Sequence, residues 1–508
     1  MTSVLLCSLA ALPATAQTDQ PLSAIDWLSR SVTAPVAPTT VQPPLNEPPV
    51  TDSASTPQIT MTPLDAPSPD PVGLLPPDVT GLPRSLWSAS DESMVITLVQ
   101  AERTDSLPAI QDFLMTLMLA EADAPLGAGT DGALFVARVD KLLDYGAIEQ
   151  AQALLEQTDI EEPELFRRWF DVALLTGSED RACDVMQANP QVAPTYAARI
   201  FCLARSGEWP AAALTLNTHR ALGDVSPEEE ALLSRFLDPE LYEDDGALPP
   251  PSRISPLVFR MREAIGEGLP TSNLPRAFAH ADLRDTVGWK SQLEAAERLV
   301  RHGAADRNVL AGFYLARTPS ASGGVWDRVE AMQRFVTALD ARDPGAVSET
   351  LPAAWDAAQR AQIEVPFAAL YSAQLQGLPL SEGARDTAFT IGLLSGDYET
   401  VALNAGEDSD PFLVALARGF PDEVETADDT RLAIQAAYVD ATPPDALTTL
   451  VNDGKLGEAL LRNVALFDSG LSGDTRAITQ AIALFRMVGL EDVARRAALQ
   501  FLLLDRAA

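Results

Sequence analysis

The chain has 508 residues, with 72 acidic and 36 basic side chains, which gives a formal net charge of −36 at neutral pH. This charge repels phosphate backbones and no basic patch offsets it, so the composition excludes nucleic-acid binding. Hydrophobic residues make up 46% of the chain, enough for a sizeable core. No apolar run reaches the roughly 18 residues of a membrane span, so a transmembrane helix is not expected.

The amino terminus has the features of an export signal. Val4 to Leu12 form a short apolar run, and Ala14-Thr15-Ala16 follow it as a small-residue cleavage site. No Lys or Arg precedes Arg30, so the positive segment that usually opens such a signal is absent. The pattern predicts that residues 1–16 are a signal peptide and that the rest of the chain is periplasmic or secreted.

A proline-rich segment follows the predicted signal. Fourteen prolines lie between residues 31 and 83, among Thr, Ser, Ala and Val. Proline lacks a backbone N–H and fixes the φ angle, so this composition is not expected to form packed helices or sheets. The sequence therefore predicts a disordered linker over residues 17–84.

From Leu86 onward, apolar residues recur at intervals of three and four, the spacing of amphipathic helices. No alternating strand pattern appears, so an all-α chain is predicted. We divide it into an N-terminal helical-repeat region at 85–245 and a C-terminal one at 246–508. The clearest predicted helices are Met94–Ala120 with a break near Leu107-Pro108, Leu134–Tyr145, Gln292–Arg301, Val325–Leu339 and Ala477–Val488.

A short motif recurs in the helical part: a glycine is followed five residues later by an alanine. A glycine just past a helix end takes the left-handed conformation that stops the helix, and a small alanine in the next helix lets the two cross closely. Each unit is thus predicted to be an antiparallel helical hairpin, and such hairpins stack into an α-solenoid because none buries its apolar face alone. The pairs are Gly146 and Ala151, Gly177 and Ala182, Gly207 and Ala212, Gly454 and Ala459, and Gly489 and Ala494.

The first of these junctions, Leu143-Asp-Tyr-Gly146-Ala-Ile-Glu-Gln-Ala151-Gln-Ala-Leu154-Leu155, resembles the junction of a tetratricopeptide-type repeat. The resemblance is degenerate, because the early Trp and the closing Pro of that family are absent, and it covers residues 131–222 and 443–504. The order of signal, proline-rich segment and helical repeats also resembles exported helical-repeat proteins of Gram-negative bacteria, some of which carry an antifreeze-glycopeptide-related label. The resemblance implies a TPR-like α-solenoid.

Two cysteines lie beyond the predicted signal peptide, Cys183 and Cys202. They flank a helix break at Asn189-Pro190 and Pro194 at nearly equal distances, which places both thiols at the same level on two antiparallel helices. An oxidising compartment would then close a Cys183–Cys202 disulfide. The alternative is a pair of unrelated buried thiols.

One loop stands out because a glycine pair leads directly into a predicted helix. Free N–H groups at a helix start attract a carboxylate or phosphate, and an Arg and a Trp in the first turn add charge and an aromatic face. The alternative is a structural cap, in which Asp327 complements the helix dipole. The candidate contacts with a partner or an anion, including a second Trp near the start of another predicted helix, are Gly323, Gly324, Trp326, Arg328 and Trp289.

Recognisable catalytic motifs are missing from the sequence. The three histidines are widely spaced, and neither an HExxH zinc motif nor a GxSxG elbow occurs. Gly127–Gly132 matches GxGxxG, but the residues before it have a helical pattern instead of the strand that a dinucleotide site requires. We predict no catalytic residue, no metal site and no cofactor.

These features favour an exported, non-enzymatic helical-repeat protein whose concave surface binds a protein or peptide partner in the cell envelope. Two alternatives stay open. One is a cell-wall glycan-processing enzyme with a carboxylate site inside a helical superhelix, sought first near Trp289 and Trp326. The other is a structural envelope component without a specific ligand.

Overall fold

The computed structural model describes residues 68–439 and 441–504, and this part of the chain is all-α. Two isolated bridges, Leu75 with Ala120 and Asp91 with Leu126, are the only β pairings in these residues. The α-helices are α1 (Pro77–Thr80), α2 (Glu92–Ala101), α3 (Pro108–Leu119), α4 (Ala133–Tyr145), α5 (Ile148–Leu155), α6 (Pro163–Thr176), α7 (Glu179–Ala188), α8 (Tyr196–Arg205), α9 (Trp209–Leu222), α10 (Pro227–Leu237), α11 (Pro256–Ala264), α12 (Trp289–Val300), α13 (Arg307–Leu315), α14 (Val325–Asp340), α15 (Pro344–Ala361), α16 (Glu364–Leu375), α17 (Glu382–Leu393), α18 (Tyr398–Leu403), α19 (Pro411–Arg418), α20 (Asp429–Val439), α21 (Asp445–Asn452), α22 (Leu456–Leu471), α23 (Thr475–Met487) and α24 (Glu491–Leu503).

Short 3₁₀ helices connect several of these elements. They are Arg84–Leu86, Pro190–Val192, Pro239–Tyr242, Thr271–Asn273, Arg276–Leu283 and Pro421–Glu423. The predicted break at Leu107-Pro108 is confirmed, because α2 ends at Ala101 and α3 begins at Pro108. Proline fits the first turn of α3, where its missing N–H costs no hydrogen bond.

The predicted linker ends too late in the sequence. Residues 68–84 belong to the folded part: the Asp70 side chain is fully buried, Leu82 is buried, and α1 forms with Pro77 in its first turn. Prolines do not prevent this packing, because they fit first helical turns and extended segments whose N–H groups need no partner. The predicted signal peptide at 1–16 and residues 17–67 of the predicted linker lie outside the described residues.

Each Gly–Ala motif forms the junction between two packed helices, α4–α5, α6–α7, α8–α9, α21–α22 and α23–α24. The five glycines have φ angles between 77° and 85°. The residue after each glycine donates its N–H to a carbonyl five positions earlier, as Ala147 does to Leu142 and Leu490 does to Phe485, which is a Schellman cap. All five alanines are fully buried. At each of these junctions the glycine therefore ends one helix and the next helix packs against it. The stacking of such pairs as hairpins in a solenoid stays a prediction.

The predicted disulfide is present, and it joins Cys183 of α7 to Cys202 of α8. The Cα atoms of the two cysteines are 5.0 Å apart, and both side chains are buried. The turn between the two helices contains the 3₁₀ segment Pro190–Val192. The bond therefore links two consecutive helical hairpins, α6–α7 and α8–α9.

Removing this bond with the double substitution Cys183→Ala and Cys202→Ala is expected to lower the free energy of unfolding by about 2–3 kcal/mol, because the unfolded chain regains the freedom of the closed loop. The measurement is urea unfolding without reductant. Reductant should destabilise the native sequence to a similar extent and leave the double variant unchanged. The prediction fails if thiol titration of the denatured protein gives the same count before and after reduction.

The first described helices pack against the last ones. α2 contacts α22, and α3 contacts α24. The backbone N–H of Ala109 donates to the Gln500 side chain at 2.7 Å, and the Phe113 and Phe485 rings meet edge to face with centroids 5.5 Å apart. We call the contact of residues 86–119 with α22, α23 and α24 the terminal seam.

The terminal seam places the two ends of the described chain in one compact unit. The predicted division at 245/246 falls between the 3₁₀ helix Pro239–Tyr242 and α11 and stays a prediction. Within the described ranges, no helix combines the length and the apolar character needed to cross a bilayer.

Candidate functional site

The predicted contact residues near the glycine pair lie together in part. Trp289 begins α12 and Trp326 lies in the first turn of α14, and their ring centroids are 5.1 Å apart. The Trp289 indole N–H donates to the carbonyl of Phe313 at 2.9 Å. Both tryptophans are half-buried. They therefore pack mainly against each other and the adjoining helices.

The polar groups of this loop are engaged within the chain. The Arg328 guanidinium donates to both carboxylate oxygens of Glu297, at 2.9 and 2.6 Å, and Glu297 is buried. The backbone N–H of Gly323 donates to the Asp327 carboxylate at 2.8 Å, and Gly324 is exposed. This arrangement matches the structural cap that the sequence left as an alternative. Contact with a partner or an anion at these residues stays a prediction.

A cavity of about 720 Å³ lies where helices from distant parts of the chain meet. Its wall is formed by α3, α5, α16 and α24, together with the turns between α12 and α13 and between α17 and α18. Exposed rim residues such as Glu149 and Asp397 show that it opens to solvent. The wall is mainly polar, and we call this space the central cavity.

Several polar atoms in the wall of the central cavity have no hydrogen-bond partner among the described residues: Gln111 Oε1, Gln150 Oε1 and Ser372 Oγ. Gln111 and Ser372 are each only 3% exposed. The Gln111 amide is oriented by its nitrogen, which donates to the carbonyls of Thr104 and Ser106. Leaving a buried polar atom unpaired costs about 1–3 kcal/mol, and these oxygens lie beneath the exposed surface of the cavity wall.

Charged groups line the same wall. Arg496 donates to Asp112 at 3.0 Å and lies 3.8 Å from Asp492. The carboxylate side chains of Asp112 and Asp492 are 50% and 62% exposed. The Arg301 guanidinium donates to the backbone carbonyl of Ala361 at 2.9 Å. The wall thus combines paired charges with unpaired buried acceptors.

No motif in the sequence indicates the central cavity. Its wall residues come from positions as far apart as Gln111 and Arg496, and no two of the contributing helices form a recognisable motif. A local signal exists only on α16, where Ala369 and Ala373 recur one helical turn apart and leave room beside Ser372. This small-residue spacing is also typical of ordinary helix packing.

A pair of buried carboxyl groups lies at the terminal seam, away from the lining of the central cavity. Glu102 directly follows the last residue of α2 and Asp468 lies on α22, and both are buried. Burial raises the pKa of Glu102 to about 8, the nearby Asp468 adds to the rise, and Lys141 opposes it. Burial also raises the pKa of Asp468, while the hydrogen bond from Ser106 lowers it.

We expect the free energy of unfolding to fall as pH rises through the range between the ordinary pKa of Glu102, 4.5, and its folded value of about 8. In this range the folded protein keeps a proton on the Glu102 carboxyl that the unfolded chain has released. The stabilising contribution of this carboxyl is therefore fully present below the range and lost above it. Glu102→Gln, which stays neutral, should remove most of the slope. The measurement is urea unfolding at several pH values.

The pH series starts above pH 6.5, because burial lowers the pKa of His280 from 6.5 to about 4 and gives the opposite slope between those two pH values. Glu243→Gln, in an exposed turn, is the matched control and should keep the slope of the unchanged protein. A Glu102→Gln variant with that same slope would contradict the assignment.

Comparison with known protein families, curated proteins and solved structures gives no match for this chain. In the part of the chain that the structure describes, no group of His, Cys, Asp and Glu side chains is arranged to hold a metal ion. The function is therefore inferred from the central cavity and from the sequence.

Proposed function

We propose that the chain is an exported helical-repeat protein, a TPR-like α-solenoid of stacked hairpins, that binds a protein partner in the cell envelope. A segment of the partner enters the central cavity. The observation that carries this proposal is the central cavity itself, a space of about 720 Å³ that opens to solvent and has a mainly polar wall. A peptide segment supplies both hydrogen-bond donors and acceptors, so it suits a wall of this kind.

Binding fits the wall of the central cavity better than catalysis does. General acid–base chemistry relies on a carboxyl group in a desolvated setting. The carboxylates of Asp112 and Asp492 are at least half exposed and lie beside Arg496. The buried pair Glu102 and Asp468 does not line this cavity. The glycan-processing alternative therefore receives less support than partner binding.

The test is site-specific photocrosslinking in the cell envelope. Benzoylphenylalanine is placed at Ala369 or Ala373, which are exposed in the cavity wall, and at Ala213 of α9 as an exposed control outside it. We expect adducts of one size from both cavity positions and none of that size from the control. Equal adducts from all three positions, or none from the cavity, would contradict partner binding.

The same cells distinguish the alternatives. Cell fractionation and the mass of the mature amino terminus test export and cleavage after Ala16. Hydrolysis of cell-wall glycan that depends on Asp112 or Asp492 would favour the enzyme. Absence of both adducts and hydrolysis would favour a structural envelope component.

A further inference from the structure

We infer that a groove beside α18 and α19 docks a short segment of a partner protein in which apolar side chains are flanked by Lys or Arg. We call it the α18–α19 groove. It shares no lining residue with the central cavity. The inference therefore goes beyond the proposed function, because it concerns a second surface and names the chemistry of the segment that binds there.

The α18–α19 groove has a volume of about 400 Å³ and is closed on one side by the 3₁₀ helix that follows α19. Its floor is apolar, with Ala402 buried and Ala415 half-buried. Two large apolar side chains also line it and stay largely in solvent: Leu403 is 64% exposed and Phe420 is 55% exposed. Single exposed apolar residues are common on protein surfaces, but two that line one concave surface indicate a contact site.

Hydrogen bonds within the chain fix the walls of the groove. Asp410, at the start of α19, accepts from the Arg431 guanidinium of α20 at 2.7 Å. On the other wall, the Gln435 side chain of α20 donates to the carbonyls of Pro421 and Val424, at 3.1 and 3.0 Å. A groove that is formed before the partner arrives loses little freedom on binding, so more of the contact energy appears as affinity.

The charges around the groove determine the sign of the partner. Between positions 405 and 425 the chain has six acidic residues and one basic residue, Arg418, which lies in the lining. Glu407 and Glu423 also line the groove, and both are exposed and have no ion-pair partner among the residues that the structure describes. The apolar side chains of a basic segment would cover the two exposed apolar residues, and its Lys or Arg side chains would face these carboxylates.

The same charges disfavour other occupants of the groove. A second copy of the chain would bring two acidic rims together, and each copy has a formal charge of −36. An anionic membrane surface would be repelled as well. A basic amphipathic segment is the occupant that suits both the apolar floor and the acidic rim.

The probe is a fluorescent amphipathic peptide in which Leu and Lys recur at helical spacing, and its binding is measured from low to physiological salt. Two control peptides have the same length: one has Glu in place of every Lys, and the other has Ser in place of every Leu. We expect only the Leu and Lys peptide to bind tightly, with an affinity that falls as salt rises. Equal binding of either control peptide would overturn the inference.

Substitutions of the exposed apolar residues locate the binding. Leu403→Ser and Phe420→Ser are each expected to weaken binding of the Leu and Lys peptide about tenfold or more. Both side chains are largely exposed, so neither change should unfold the protein, which urea unfolding checks. Leu214→Ser on α9, where the side chain is 68% exposed outside the groove, is the matched control and should weaken binding less than about twofold. Unchanged binding in the two groove variants, or an equal loss in the control, would contradict docking here.

The carboxylates are tested without touching the apolar residues. The pair Glu407→Gln and Glu423→Gln is expected to weaken peptide binding about fivefold and to reduce its dependence on salt. The pair Glu243→Gln and Asp244→Asn makes the same charge change in an exposed turn and should have less than about a twofold effect. Equal effects of the two pairs would show that the overall charge of the chain, and not the rim of the groove, attracts the peptide.

Two further outcomes separate this inference from its neighbours. If the unchanged protein is a dimer that Phe420→Ser converts to a monomer, the groove is a self-association surface and the inference is wrong. Crosslinking from Ala369 and Ala373 does not involve this groove. Failure of the peptide to bind therefore contradicts the inference alone and leaves the proposed function standing.

Discussion

Replacing Arg138 by Met is expected to lower the free energy of unfolding by about 3–5 kcal/mol, because the change leaves several buried carbonyls without a donor. Arg138 lies on α4 and is fully buried. Its guanidinium donates to four backbone carbonyls, at distances of 2.8 to 3.1 Å: those of Met118, Ala120, Asp70 and Val72.

Burial lowers the pKa of Arg138 to about 10, so the side chain stays charged at neutral pH. The guanidinium thus joins the carbonyls near the end of α3 to those of residues 70 and 72. Met fills a similar volume but has no hydrogen-bond donors. The loss in the free energy of unfolding therefore measures the missing hydrogen bonds more than any change in packing. We also expect residues 68–84 to become sensitive to protease in the variant, since Arg138 holds the carbonyls of Asp70 and Val72.

Arg167→Met is the matched control, because Arg167 on α6 is half exposed and its nearest carboxylate, that of Glu164, is 3.9 Å away. That change should alter stability by less than about 1 kcal/mol. The measurement is the free energy of unfolding of both variants in urea at neutral pH. An Arg138→Met variant that unfolds like the control would show that the four hydrogen bonds contribute little.

The helices and their junctions could be predicted from the sequence because their signals are local. A glycine ends one helix and an alanine only five residues later packs in the next helix. Gly146, Gly207 and Gly489 have similar positive φ angles, and the alanine that follows each of them is fully buried. The disulfide could be placed for the same reason. Cys183 and Cys202 are separated by 19 positions and by a single helix break.

The remaining features depend on contacts between residues far apart in sequence. The linker boundary was wrong because proline content does not reveal that Arg138, 68 positions away, binds the Asp70 carbonyl. The central cavity depends on helices as distant as α3 and α24, and no motif marks their meeting. The glycine pair at 323–324 gave a strong local signal, but the buried carboxylate that engages Arg328 comes from another helix.

The terminal seam is tested most directly at Gly457, the second residue of α22. A Cβ atom at this position would lie 2.3 Å from the ring carbons Cε3 and Cζ3 of Trp87 and 2.8 Å from the Leu86 carbonyl oxygen. Trp87 is fully buried and cannot move aside without displacing its neighbours. Gly457→Leu is therefore expected to lower the free energy of unfolding by at least about 3 kcal/mol, at the upper end for overpacking.

The matched control is Gly312→Leu on α13, where an added Cβ meets no atom within 4 Å. Leu is a better helix former than Gly, so this control should gain up to about 1 kcal/mol. If the terminal seam exists, the change from Gly to Leu thus lowers the free energy of unfolding at position 457 and raises it at position 312. In a double-mutant cycle, Trp87→Ala should make Gly457→Leu less costly, because the indole is the obstacle. Equal effects of Gly457→Leu in the presence and absence of the Trp87 ring would mean that residues 86–119 do not pack against α22.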